Sequence, residues 1–248
     1  MILFERKNNT GIITLNRPEK RNALHPKLVE QLKNKLTELS NDKTLSSIII
    51  TGSGKSFCAG ADLAYLNNLQ NYSSIENEKD SELLAELFLM IYNFPVPVIA
   101  AVNGSAIAGG CGLATVCDFI IADEKNAKFG YSEVKIGFVP AIVSIFLIKK
   151  IGEGKTKALM LSGEIIDAVR GERIGMVDIL TDDVLKAGLA LAARLEINSV
   201  QSMRMTKNMI NLISGMSVET AVDYCVRLNA VSRSSEDFRN GLQKFLNK

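Results

Sequence analysis

Ser46-Ser47-Ile48-Ile49-Ile50-Thr51 is an apolar run without polar alternation. A strand of that kind has no face to leave in water, so it predicts a sheet covered on both sides. Pro95 to Val102 and Asp118 to Ala122 read as further strands, and Ile2-Leu3-Phe4 with Gly11 to Leu15 reads as a hairpin turning at Lys7 to Thr10. Helices fall between them. Pro26 opens one to about Leu39, with Leu28, Val29, Leu32, Leu36 and Leu39 on one face, and Asp80 to Asn93 and Gly109 to Cys117 are predicted helical. Asn67 to Ser74, rich in Ser and Asn, predicts a mobile loop. From Val139 helical patterns dominate: Ile142–Ile151, Lys155–Ser162, Val169–Gly175, Val184–Leu195, Val200–Ser214, Val218–Ser232 and Glu236–Leu246. Alternating elements followed by helices argue an α/β fold with a helical C-terminal portion, for which a spiral of strand–strand–helix units is a candidate. No residue-level repeat supports the spiral on its own.

Several function classes are disfavoured at once. Basic and acidic residues number 29 and 27 and are spread along the chain, so nucleic acid is not an expected partner. Cys58, Cys111, Cys117 and Cys225 form no C-x-x-C pair, and His25 is the single histidine, so no metal site is expected. MILFERKNNTG carries charge at once and lacks a long apolar stretch, which predicts neither signal peptide nor membrane span; a cytoplasmic protein is the expectation.

The stretch TGSGKSFCAGADL places Gly54-Lys55-Ser56 after a strand, as a phosphate loop would. That loop needs glycine five positions before the Gly-Lys pair, and Ile49 stands there, so the segment reads as a surface turn. Attention passes to Phe57-Cys58-Ala59-Gly60-Ala61-Asp62-Leu63 and to Val102-Asn103-Gly104-Ser105-Ala106-Ile107-Ala108-Gly109-Gly110-Cys111-Gly112-Leu113. Each follows a buried strand and precedes a helical segment. Small residues there permit close backbone approach, and one N–H from each loop would suit an oxyanion on an acyl carbonyl. Tight packing of strand on helix explains the same glycines. Glu133, among apolar residues in Phe129 to Pro140, is a candidate proton carrier, because an apolar wall raises a carboxyl pKa; a solvated loop glutamate is the plain alternative.

Together, FCAGADL, VNGSAIAGGCGLATVCDFIIADEKNAKFGYSEVKIGFVP and the opening GIITLNRPEKRNAL resemble the enoyl-CoA hydratase/isomerase (crotonase) superfamily, with ERIGMVDIL and EDFRNGLQKFL continuing the likeness. The resemblance implies a crotonase-like spiral of ββα repeats over residues 1–190. Residues 191–248 would form a helical region packing on the core and making a homotrimer or dimer of trimers. It implies an acyl-CoA thioester substrate and no cofactor beyond that CoA. Ala61 and Gly109 are implied as oxyanion donors and Glu133 as the acid–base. Lys20, Arg21, Ala23, Ala59, Gly60, Asp62, Leu63, Gly110 and Tyr131 are implied as substrate or CoA contacts, the Ala23 backbone facing adenine. Phe245 and Lys248 lie where relatives touch CoA.

One position departs. Two-glutamate hydratases carry their first carboxylate where this chain has Gly112. Three readings stay open: a hydratase working through Glu133 alone, an isomerase moving a proton between carbons with the same residue, and a non-catalytic acyl-CoA binder. SEVKIGFVPAIVS resembles methylglutaconyl-CoA hydratases, which act on a branched acyl group carrying a carboxylate that Lys135 would be placed to meet; a solvated Lys135 is the alternative. His25 is expected to shape a helix entry, and Glu76, Glu78, Asp80 and Glu82 to be solvated.

Overall fold

The structure is a computed structural model that describes residues 1–247. Strands β1 (Ile2–Lys7) and β2 (Thr10–Leu15) form an antiparallel hairpin turning at Asn8 and Asn9. Beside β2 run, all parallel, β3 (Ser47–Gly52), β5 (Val98–Val102), β7 (Phe119–Asp123) and β10 (Ile179–Thr181). A second sheet is built from β4 (Ser56–Cys58), β6 (Ser105–Ile107), β8 (Lys128–Gly130) and β9 (Ile165–Asp167). Each repeat gives one strand to each sheet: β3 and β4, β5 and β6, β7 and β8. That is the ββα spiral.

The expectation of a sheet covered on both faces holds, and the strand period shows how. Ile48 and Ile50 enter the main core with Val98, Ala100 and Ile120, while Ile49 joins Ile12, Ile99, Ala101 and Ile121 on the opposite face. Helix α1 (Pro26–Ser40) lies in the main core through the five predicted apolar residues. The opposite face is covered by α8 (Val184–Glu196), through Val184, Leu191 and Ala192. The expected division at 190/191 therefore falls inside a helix that belongs to the sheet, and the change of character comes after Glu196.

The 67–74 segment is not a loop throughout. Helix α2 (Leu63–Leu69) starts on an Asp62 cap, and α3 (Ser74–Tyr92) starts six residues before its predicted Asp80. A reciprocal capping box between Ser73 and Glu76 fixes that start. Helix α4 (Gly109–Thr115) is buried from Gly110 onward, and α5 (Ala141–Ile151) packs against it. Helices α6 (Glu153–Ser162) and α7 (Ala168–Arg173) flank β9.

Three terminal helices follow: α9 (Val200–Ile213), α10 (Val218–Arg233) and α11 (Glu236–Leu246). Helix α9 is tied to the core by Lys207, whose Nζ lies 2.6 Å from Asp118, and by the Asn211 amide donating to the Tyr92 carbonyl at 2.9 Å. No described helix is long and apolar enough to cross a membrane.

Candidate active site

The two glycine-rich loops meet. Gly60 has φ +87°, and a side chain there would sit 2.8 Å from the Ile107 carbonyl, 3.0 Å from the Ala108 methyl and 3.6 Å from the Gly109 nitrogen. Glycine is required on both counts. Ala61 is placed by an isolated parallel bridge to Leu24. Leu24 donates to the Gly60 carbonyl at 2.7 Å and accepts from the Asp62 N–H at 2.9 Å. In such a bridge the middle residue turns its own N–H and carbonyl away from the partner strand. The Ala61 N–H thus faces away from Leu24 and has no acceptor among the described residues.

Gly109 opens α4 with its N–H similarly without an acceptor, and no side chain caps that helix. Ala108 immediately before it has φ +52° and ψ −125°. For a residue with a Cβ this strain costs roughly 1–3 kcal/mol. Its N–H, bonded 2.7 Å from the Gly130 carbonyl, helps hold it. Ala59, Ala61 and Gly109 are half-buried, whereas Gly60 and Gly110 are buried beneath them.

Glu133 follows β8 and opens a 3-10 turn, Glu133–Ile136. It is 7% exposed, and its Oε2 is buried with no hydrogen-bond partner among the described residues. Burial, which disfavours the charged form, pushes its pKa above the ordinary glutamate value. Its charge is felt in α4: burial first, and Glu133 as a lesser cause, push the Cys111 thiol up to about 12. Behind it stands Tyr131. The Tyr131 hydroxyl lies 3.0 Å from Thr115 Oγ1, which is itself 3.2 Å from the Gly112 carbonyl.

The other residues expected at the site are placed as follows. Tyr131 is fully buried, with its hydroxyl against Thr115. Asp62 does not offer a free carboxylate: Oδ1 caps α2 by accepting from the Ala64 N–H at 3.0 Å, and Oδ2 accepts from Arg17 at 2.9 Å. The Ala23 N–H is taken by the Lys20 carbonyl, and its own carbonyl accepts from Arg17, which leaves one lone pair of that oxygen for an adenine amino group. Gly110 is a packing residue, pressed on the Cys58 backbone. Lys20 and Arg21 are exposed and in no ion pair among the described residues, and Leu63 is 77% exposed. Lys135 lies over Gly163, where an added Cβ would stand 3.1 Å from its Cε, so it is directed to the end of α6. His25 caps α1 as expected, its Nδ1 accepting from the Lys27 N–H at 3.2 Å. Asp80 is the exception in the acidic run, half-buried and accepting from the Tyr65 hydroxyl. Lys248 and the Phe245 side chain lie outside the described residues.

Two residues escaped the sequence reading. Asn22 is fully buried at φ +56°, with its amide donating to the Ser53 and Ser56 carbonyls at 2.9 and 2.8 Å. Arg17 connects the N-terminal coil to Asp62. A charged residue and an amide inside a turn otherwise full of exposed charge were the available signal.

At Gly112 the missing carboxylate leaves no hole. An added Cβ would collide with Val143 Cγ1 and stand 3.2 Å from Phe88 Cε2. Gly112→Glu is therefore expected to lose about 1–3 kcal/mol by overpacking and to gain no hydration rate, whereas adding Val143→Ala should recover part of the loss. Thermal melts of the single and double variants check this; an undiminished midpoint in Gly112→Glu would contradict it.

The α/β spiral thus presents two amides without acceptors among the described residues, in loops that meet, and a buried carboxyl three residues beyond the Gly130 carbonyl that holds Ala108. A family profile described as enoyl-CoA hydratase/isomerase matches residues 5–248. A relative from Thermus thermophilus is 38% identical over 244 residues, covering 98% of this chain and 96% of its own. The crotonyl-CoA hydratase of Syntrophomonas wolfei is 34% identical, covering 100% of this chain and 95% of its own. The crystal structure of an enoyl-CoA hydratase from Shewanella pealeana superposes with a TM-score of 0.95 at 28% identity, over 99% of this chain and 93% of that one. The chain belongs to the enoyl-CoA hydratase/isomerase family.

Proposed function

We propose that the protein hydrates the double bond of an enoyl-CoA thioester through one carboxylate. The observation that carries this is the buried Oε2 of Glu133, without a partner among the described residues, on the segment after β8, whose Gly130 carbonyl holds Ala108 next to the free Gly109 N–H. In the reaction, ionised Glu133 takes a proton from water as its oxygen bonds to the β-carbon. The π electrons pass to the thioester oxygen, where the Ala61 and Gly109 amides meet the developing charge. The protonated carboxyl then returns that hydrogen to the α-carbon, and the carbonyl reforms. Water is consumed, and Glu133 ends as it began. Lys20 and Arg21, exposed on the N-terminal coil, are the cations for the CoA phosphates.

The filled space at Gly112 also favours a second reading. With no second carboxylate to activate water, Glu133 would carry a proton from one carbon to another in a β,γ-unsaturated thioester. The two are separated directly: crotonyl-CoA loses its conjugated absorbance on hydration, whereas a β,γ-enoyl-CoA gains it on isomerisation. Flat traces with both, and with methylglutaconyl-CoA, would leave only the non-catalytic binder.

A short branched acyl group, as in methylglutaconyl-CoA, is our reading of the loop containing Glu133. Since Lys135 points to Gly163, a carboxylate on that acyl group would need another cation. We further read the protein as cytoplasmic and as a homotrimer or dimer of trimers. Val218, Val222 and Val226 form an exposed stripe on α10 that a second copy would cover. Its mass in solution tests the assembly.

A further inference from the structure

Arg17 reaches both strands of the bridge that aims the Ala61 amide. One guanidinium nitrogen donates to the Ala23 carbonyl at 2.8 Å, one residue before Leu24. The other donates to Asp62 Oδ2 at 2.9 Å, one residue after Ala61. The two side chains are only 11% and 9% exposed. Arg17 is itself fixed, since its N–H donates to Asn22 Oδ1 at 2.9 Å and the Asn22 amide is anchored on two carbonyls of the β3–β4 turn. The planar fork of a guanidinium suits this double contact, which an ammonium cannot reproduce.

We infer that Arg17 is a positioning residue for the oxyanion pocket: its guanidinium staples Ala23 to Asp62 across the Leu24–Ala61 bridge, fixing the direction of the Ala61 N–H and cancelling the Asp62 charge beside it. The inference rests on the reading of Ala61 as an oxyanion donor. Its electrostatic half follows from burial. A carboxylate left alone next to the place where a thioester oxygen becomes anionic would oppose that charge, and in a site shielded from water the opposition is large. Its geometric half follows from the bridge. Without the staple, the segment carrying the Ala61 N–H is joined to the N-terminal coil by backbone hydrogen bonds alone, Ala59 to Arg21, Leu24 to Gly60 and Asp62 to Leu24.

The test uses para-dimethylaminocinnamoyl-CoA, whose absorbance moves to longer wavelength when its carbonyl is polarised. In the parent protein the bound probe should shift. In Arg17→Met the shift should shrink and kcat should fall by up to about a hundredfold, the scale of a misplaced catalytic group, with KM and probe affinity little changed. Adding Asp62→Asn to Arg17→Met should restore part of the shift, because it removes the stranded charge. A folded Arg17→Met protein with the parent's shift and kcat would overturn the inference. If that variant does not fold, Arg17→Lys carries the test: a reduced shift in a protein that melts normally supports the staple, and an unaltered one overturns it. A parent protein that binds the probe with no shift would instead remove the oxyanion reading, and the inference with it.

Discussion

Glu133→Gln is expected to lower turnover by at least about a hundredfold, the low end for a general acid–base group, with acyl-CoA affinity nearly intact. The amide keeps the shape of the carboxyl but carries no transferable proton. Stability should move the other way. Burial raises the folded-state pKa of Glu133 above its unfolded value. The fold therefore favours the neutral carboxyl, a contribution that is complete below the unfolded pKa and lost as pH rises through the folded one. At neutral pH the glutamine variant lacks that buried, unpartnered charge, so its melting midpoint should not fall, and its stability should depend less on pH over that window. In the parent, activity that needs the ionised carboxylate should decline on acidification at a pH above the ordinary glutamate range. Turnover and melts measured across pH check both. A variant as active as the parent would remove Glu133 from the mechanism.

Gly110→Ala should damage fold and activity together. The added methyl would collide with the Cys58 carbonyl oxygen and lie 2.7 Å from its carbon, and these are backbone atoms of β4 that cannot rotate away. Overpacking of this kind costs on the order of 3 kcal/mol, a fall of roughly 6–12 °C in midpoint for a chain of this size. Relief would come by moving α4, which carries the Gly109 amide. Losing one such donor costs about a hundred- to a thousandfold in turnover. A melt and a rate measured on the same sample decide it: an unchanged midpoint would mean that β4 and α4 are less tightly apposed than the structure has them.

The long elements were legible because their pattern is local. Ile48 to Ile50 announced a buried strand, and the apolar face of α1 was read residue by residue. The second sheet was not. β4, β6, β8 and β9 have three residues each, too few to show a period, and they exist because distant partners supply their hydrogen bonds. The early start of α3 was readable in Ser73 and Glu76, at capping-box spacing, but the Ser/Asn-rich composition around them suggested a loop. At the site, glycine content pointed to the two loops and an apolar setting pointed to Glu133. Which polar side chains were free and which were engaged could not be read, since the partners of Asp62 and Ala23 come from across the fold. Ala108 gave no sign of its left-handed φ, a conformation that alanine normally avoids.

The contact between Gly112 and Val143 also bears on descent. A lineage moving between one-acid and two-acid chemistry must alter two positions, on different helices, and the acid introduced first meets an occupied site. Gly112→Glu made first overpacks the contact with Val143, and Val143→Ala made first opens a void, so each single step costs stability. Volume, more than charge, would then keep such lineages apart.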